Sequence, residues 1–478
     1  MPPEKMSWER LLDDTRIRKA RDDSADSIKA ADESRSEFER DRDRTVYSNP
    51  VRRLIGKTRV FPLNPNDHVR TRLIHSLEVS TVAGGLASQA VKKIHKTREP
   101  LLEKQQRDIA KIAETCGLLH DLGNPPFGHA GELAIASWFE EKRKRDDDIK
   151  EEPKRFFYPL GGPTSQRAKD FLHFEGNAQT LRIIANTNLL GHDYGLNLTC
   201  ATTAAARKYL AHSLNAVRKG TDHAYAKPGY FESETELFTL VSQRTGTEGR
   251  RHPITYLAEA ADDIVYSVVD IEDAIEKRIL RWRDVEEYLD ECCKDSNLYA
   301  RVMERVRAQL AGPNQSDSAS GQSFRVNAIS ELVISTVEVF ERRYDEIMLG
   351  QYRRELVRDD SYEGSAVIAA CKKLLRDRVF QQKEVLRLEV RGRRVIHDLM
   401  DLFWEGVEEY LKTGETTTST YAGKLYLLIA ESYRQLFERR VAANPVDRIY
   451  LGLQLVTDYV SGMTDGFACR LHEELVNG

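Results

Sequence analysis

GLLHDLGNPPFGHAGE, residues 117–132, starts as the end of an apolar helix and stops at a histidine–aspartate doublet, His120–Asp121. Gly123 and the pair Pro125–Pro126 then break the helix, and a second imidazole and carboxylate, His129 and Glu132, return just beyond. On a regular helix, adjacent side chains point about 100° apart. At a terminus followed by glycine, two neighbours can converge on one point. The stretch therefore reads as a helix end that presents an imidazole and a carboxylate together.

Helical periodicity spreads outward from this stretch in both directions. Upstream lie residues 105–118 and the apolar positions Leu73, Leu77 and Val79 to Leu86; downstream come helices around 175–190 and 256–279. Long amphipathic patterns at 325–350, 364–377, 421–440 and 446–475 continue to the end. One alternating piece, VLRLEVRG (385–392), reads as a strand or extended entry to the next helix. The charged run at 140–155 reads as a surface loop, and AGPNQSDSASGQS (311–323) as a mobile one. The expected class is all-α, arranged as a charged exposed arm (1–40), a helical core (41–290) and a C-terminal helical region (291–478) that adds core packing and oligomerisation.

Composition excludes several classes. The 478 residues carry 72 Lys plus Arg against 76 Asp plus Glu, a net charge of -4, which argues against a general nucleic-acid coat. No stretch approaches the roughly 20 apolar residues that span a bilayer. The opening MPPEKMSWERLLDD lacks an apolar signal region. Six cysteines without a CxxC pair read as reduced thiols of a cytoplasmic protein.

The doublet needs two further ligands to make a helical metal site. His75 sits on an otherwise apolar helix, and Asp262 lies in EAADDIVYSVVD. Each alone reads as a packed or solvated side chain. With His120 and Asp121 they form a set of two imidazoles and two carboxylates, better suited to Mn²⁺, Mg²⁺, Fe or Co than to structural zinc. Asp262, Tyr266 and Asp270 recur at i, i+4 and i+8, on one helix face. Arg72, nearly on the face of His75, can clamp a phosphate, and Lys227 in AKPGYFESE is a further candidate cation.

Five ordered segments carry a resemblance: Arg70 to Ser76, His120 to His129, His173 to Gln179, Glu259 to Tyr266 and Asp458 to Asp465. Together they resemble the HD-superfamily dGTP triphosphohydrolases, from about residue 40 to 470. The resemblance implies an all-helical HD-domain core with an additional C-terminal helical lobe. It also implies hydrolysis of a deoxynucleoside triphosphate at the α-phosphorus, giving deoxynucleoside and intact triphosphate. By the same resemblance His75, His120, Asp121 and Asp262 are metal ligands, with Mn²⁺ or Mg²⁺ foremost and Co²⁺, Fe²⁺ or Ni²⁺ as alternatives. His129 and Glu132 become the catalytic pair. Arg72 and Lys227 hold the triphosphate near His173, Tyr266 packs on the sugar, and Asp270 accepts from the 3′-hydroxyl. Well-characterised bacterial members carry glutamine at the base-reading position where this chain has Arg59, so base preference stays open. The resemblance further implies a homo-oligomer, commonly a hexamer, with single-stranded DNA or a second dNTP as activator. Two other readings keep the same residues: an HD-type phosphodiesterase or 5′-nucleotidase, and a nucleotide or single-strand sensor with weak turnover.

Overall fold

A computed structural model describes residues 4–22, 35–59, 70–187, 194–217, 220–310 and 316–476. The fold is all-α. Among the described residues the only strands are Ala211–His212 and Pro228–Tyr230, a short parallel pair. The principal helices, labelled in chain order, are α1 (Arg72–Thr97), α2 (Glu103–Leu119), α3 (His129–Asp148), α4 (Gly176–Asn186) and α5 (Pro253–Glu276). They continue with α6 (Asp317–Arg342), α7 (Ser365–Arg378), α8 (Lys383–Thr413), α9 (Arg448–Ser461) and α10 (Asp465–Val476).

The central element is α5, which packs on α1, α2, α6 and α7. It starts with Pro253 at its first turn, where no amide hydrogen is missed, and His252 caps it through Ile254 N. Ile264, Val268, Ile271 and Ile275 enter the core. Burying each contributes about 1.5–3 kcal/mol, which offsets the desolvation of the carboxylates on the opposite face. A second core joins α3, α8, α9 and α10 around Trp138, Phe139, Met400 and Phe403. The candidate site lies between the two cores.

Several expectations are corrected. The strand expected at 385–392 is the first part of α8. Val385, Val395, Ile396 and Leu399 recur at helical spacing and are buried, and the helix satisfies its own backbone where a strand would need a partner. The charged run at 140–155 is largely α3 out to Asp148, braced by Arg143 with Glu140 and Asp147. Of the loop expected at 311–323, residues 311–315 lie outside those described. The remainder starts α6, where the Ser316 hydroxyl caps Ala319 N. Residues 1–40 are not simply an exposed arm: Met6, Trp8, Leu11, Ile17 and Phe38 are buried, and Trp8 Nε1 donates to Tyr344 Oη at 2.7 Å. Charge dominates that composition, but the few apolar side chains decide where it lies. Residues 23–34 of the expected arm lie outside those described. No helix among the described residues is long and apolar enough to cross a membrane. All six cysteines are free, and only Cys292 is exposed.

Candidate active site

The first turn of α1 supplies His75, the end of α2 supplies His120 and Asp121, and the middle of α5 supplies Asp262. His120 caps α2 and Asp121 follows outside it, so the two side chains do converge: His120 Nε2 lies 3.6 Å from Asp121 Oδ2. The same nitrogen lies 3.6 Å from Asp262 Oδ1, and His75 Nε2 is 3.1 Å from that oxygen. His120 Nδ1 donates to Gly117 O at 2.7 Å, which leaves Nε2 turned to the two carboxylates. That nitrogen is buried without a hydrogen-bond partner. A buried ring nitrogen without a hydrogen-bond partner, facing two carboxylates, is the setting a divalent cation requires. His75, His120 and Asp262 offer ligand atoms within 4.8 Å of one another. Asp121 stands at the edge, accepting from Arg72 Nη1 at 2.7 Å and Asn124 Nδ2 at 2.5 Å. Neighbouring Asp263 turns away to Lys372.

The electrostatics suit the same occupant. Burial works against ionisation of Asp121 and Asp262, but Arg72 with His120 at the first, and His120 with His75 at the second, outweigh it and hold both carboxyls below the usual range. Burial, reinforced by Arg59, lowers His75 to about 3, so the ring is neutral at physiological pH. Arg59 Nη1 stands 2.5 Å from His75 Nδ1. Guanidinium only donates, so Nδ1 accepts and Nε2 carries the proton toward Asp262. Ligation through Nε2 requires that proton to leave and Arg59 to turn from Nδ1.

The turn after Asp121 aims the second pair. Phe127 has φ +62°, the left-handed region that costs a non-glycine residue about 1–3 kcal/mol. Gly128 follows at φ +59°, where a side chain would also strike Arg72. His129 then opens α3 with its side chain 74% exposed, and its Nδ1 lies 2.9 Å from Glu132 Oε2. The other oxygen of buried Glu132 accepts from Gly176 N, the first residue of α4, at 2.9 Å. The bond to Glu132 raises the His129 pKa.

Both groups open on one cavity of about 450 Å³, whose wall includes Arg59, Arg72, Lys227 and Tyr266. Lys227 pairs with Glu175 at 2.9 Å; burial opposes its charge, but Glu175 keeps its pKa raised. Arg59 lies 4.8 Å over the Tyr266 ring and 3.4 Å from Asp270, which is buried one turn further along α5. Burial pushes the Asp270 carboxyl up to about 7 against the pull of Arg59. His173 does not join the wall; it ends the helix Gln166–Leu172 with Nδ1 3.4 Å from Ser213 O. Residues not singled out from sequence also stand here. Lys208 lies 3.3 Å from Glu259, within the field of Asp262 and Asp263, and Glu259 also binds Arg251 and His223. Phe380, Val385 and Glu389 bring the C-terminal half into the wall. The spacing of Glu259 one turn ahead of Asp263 and two turns ahead of Tyr266 was a readable signal for the first group; nothing local marked the second.

The HD domain family matches residues 72–205. A deoxyguanosinetriphosphate triphosphohydrolase-like protein of Listeria monocytogenes is 33% identical, over 98% of this chain and 99% of its own. One from Synechocystis is 34% identical at the same coverage. A deoxyguanosinetriphosphate triphosphohydrolase of Klebsiella pneumoniae is 32% identical over 92% of this chain and 93% of its own. The chain belongs to the deoxyguanosinetriphosphate triphosphohydrolase family. As a triphosphohydrolase family member it draws its site from beyond the HD match. That segment holds His75, His120, Asp121, His129 and Glu132, whereas Arg59, Lys227, Asp262, Tyr266 and Asp270 lie outside it.

Proposed function

We propose that the protein hydrolyses deoxynucleoside triphosphates at the α-phosphorus, with dGTP the default substrate, releasing deoxynucleoside and inorganic triphosphate. One observation carries this reading: His129 bonded to Glu132 shares a cavity with two phosphate-seeking cations, Arg72 and Lys227, and with the His75, His120, Asp121 and Asp262 cluster. A divalent cation on that cluster, Mn²⁺ or Mg²⁺, would supply charge neutralisation at the phosphoryl oxygens and a more acidic water. Arg72 and Lys227 clamp the triphosphate and hold the α-phosphorus in line. As water attacks phosphorus and the bond to the 5′-oxygen breaks, His129 gives its proton to that oxygen. Glu132 keeps the imidazolium oriented and charged. Tyr266 stacks against the sugar and crowds a 2′-hydroxyl, Asp270 accepts from the 3′-hydroxyl, and Arg59 lies toward the base. The same reading makes the protein a cytoplasmic homo-oligomer, a hexamer by the family resemblance, with single-stranded DNA or a second dNTP as activator; light scattering with and without nucleotide checks the assembly.

The test is product analysis with each dNTP and with GTP, in Mn²⁺ and in Mg²⁺, beside a His120→Ala control. Tripolyphosphate with deoxynucleoside is expected, absent in the control, with GTP turned over far more slowly. Orthophosphate or a cleaved diester in its place would overturn the reading in favour of another phosphoesterase. Metal and nucleotide binding without turnover, even with dNTP mixtures and single-stranded DNA, would favour a sensor.

A further inference from the structure

Asp465, the first residue of α10, is far from the cluster in sequence, yet 1% exposed and saturated with donors from two other segments. Its Oδ1 accepts from Phe127 N at 3.0 Å, the residue held at φ +62° two positions before His129. Its Oδ2 accepts from Thr58 N at 3.0 Å and also from the Thr58 hydroxyl. Thr58 immediately precedes Arg59 and bridges to Thr71, the N-cap of α1. One carboxylate therefore joins the segment that carries Arg59 to the turn that begins at Asp121.

Lys57 repeats the connection one residue away. It is 3% exposed, and its ammonium donates to Asn124 O at 2.5 Å and to Ser461 O at 2.8 Å. Its backbone carbonyl accepts from Arg72 N at 3.0 Å. The three segments 57–59, 124–128 and 461–465 thus form one buried hydrogen-bonded unit. Arg59 and His129 both line the cavity. Asp465 stands at a helix N-terminus, where the dipole favours negative charge, and Lys57 lies within its field.

We propose that Asp465 is a positioning residue of the active site: by accepting from Phe127 and Thr58 together, it holds the turn that aims His129 and the segment that places Arg59 in one fixed relation. It touches no reacting atom and acts through its two partners. None of the proposed metal ligands bonds to it. The proposal rests on the proposed reaction only for its kinetic consequence; the coupling of the two segments stands independently of any substrate.

The experiment uses the full chain carrying Asp465→Ala or Asp465→Asn and reads hydrogen–deuterium exchange, Mn²⁺ affinity by calorimetry, and turnover. In the alanine variant exchange is expected to rise together in peptides covering 54–59 and 124–131, while α1 and α5 stay at the wild-type rate. Misplacing a catalytic group by about 1 Å costs on the order of a hundredfold, so kcat should fall about 10–100-fold with KM within about threefold and Mn²⁺ bound no more weakly than by wild type. Asparagine keeps one carbonyl acceptor and should recover part of both. Unchanged exchange, a rise in only one segment, or kcat within about threefold of wild type overturns the proposal. So does an equal loosening of α1 and α5, which would mark a merely structural residue. Should the alanine chain fail to fold, Thr58→Val, which deletes the hydroxyl donor alone, decides by the same two peptides and a smaller fall in kcat. Should the wild type make no tripolyphosphate, the proposed reaction fails while the exchange result still tests the coupling.

Discussion

His129 and Glu132 act as a unit because the carboxylate is buried and doubly engaged while the imidazole stands open to the cavity. The bond raises the His129 pKa, so the proton-donating form persists to higher pH than for an isolated histidine. Glu132→Gln removes the charge that does this. The expected outcome is a kcat reduced roughly 10²–10⁴-fold, the scale of general-acid catalysis, and a basic limb of the pH–rate profile moved to lower pH; an unmoved limb would remove Glu132 from this role. Arg59 permits a second prediction. It occupies His75 Nδ1 and fixes the proton on the nitrogen that faces Asp262. Arg59→Gln frees that ring and also removes a nearby positive charge, so Mn²⁺ should bind several-fold tighter by calorimetry. The ranking of the four dNTPs should shift as well, since a bidentate arginine–base contact is worth about 1–3 kcal/mol. Unchanged affinity and ranking would place Arg59 outside both functions.

Among the elements, α4 and α9 are held by Arg182 and Asp458, both nearly fully buried, with bonds of 2.7, 2.8 and 3.0 Å. Gln179 donates to the same carboxylate, and Arg182 reaches Glu234 on its other side. Deleting one member of a buried pair costs about 3–5 kcal/mol because the other charge is stranded. Asp458→Ala should therefore lower the melting temperature markedly and raise exchange in α4, whose first amide supports Glu132; a melt like that of wild type would contradict this. Such pairs were not legible from sequence, since 276 positions separate Arg182 from Asp458 and the motif that opens at Asp458 does not say what its carboxylate meets. The long helices were legible. Ile264, Val268 and Ile271 declare the buried face of α5, and its acidic residues necessarily take the other. VLRLEVRG misled because six or seven alternating residues cannot reveal that a 31-residue helix continues beyond them.

For the molecule as a whole, the same distinction holds: chemistry was readable where a helix carries it, and position was not. His75, His120, Asp121 and Asp262 could be gathered from residue type and motif. Lys208, Glu389 and Asp465 join the site or its frame only because the fold brings distant segments together. The buried cluster also gives the whole chain a pH signature. His75 is lowered to about 3, so below its unfolded value of about 6.5 the unfolded chain binds a proton that the folded one refuses. Asp121 and Asp262, depressed by their neighbours, add loss in the same direction at lower pH. Stability should decline as pH falls through this window, by up to about 1.4 kcal/mol per pH unit from His75 alone. Mn²⁺ at about a hundredfold over its dissociation constant should add about 2.7 kcal/mol, and no proton on His75 competes with it until the pH approaches about 3. Melting curves from pH 7.5 to 5 with Mn²⁺ or with chelator check both; a stability in chelator that does not decline with acid would contradict the assignment of His75.

Under the proposed function the acidic face of α5 also serves as a graduated ruler. Asp262, Tyr266 and Asp270 are spaced by four residues, so their backbones are separated by roughly 6 Å per mark. That is the order of the distance between successive parts of a nucleotide. A ruler of this kind tolerates changes in its markings but not in its length: inserting or deleting a single residue between Asp262 and Asp270 would rotate every later mark by about 100° and bury or expose the wrong set. On that reading side chains along the face can be exchanged, and with them the shape of what is measured, only while the count of residues from Asp262 to Asp270 is kept.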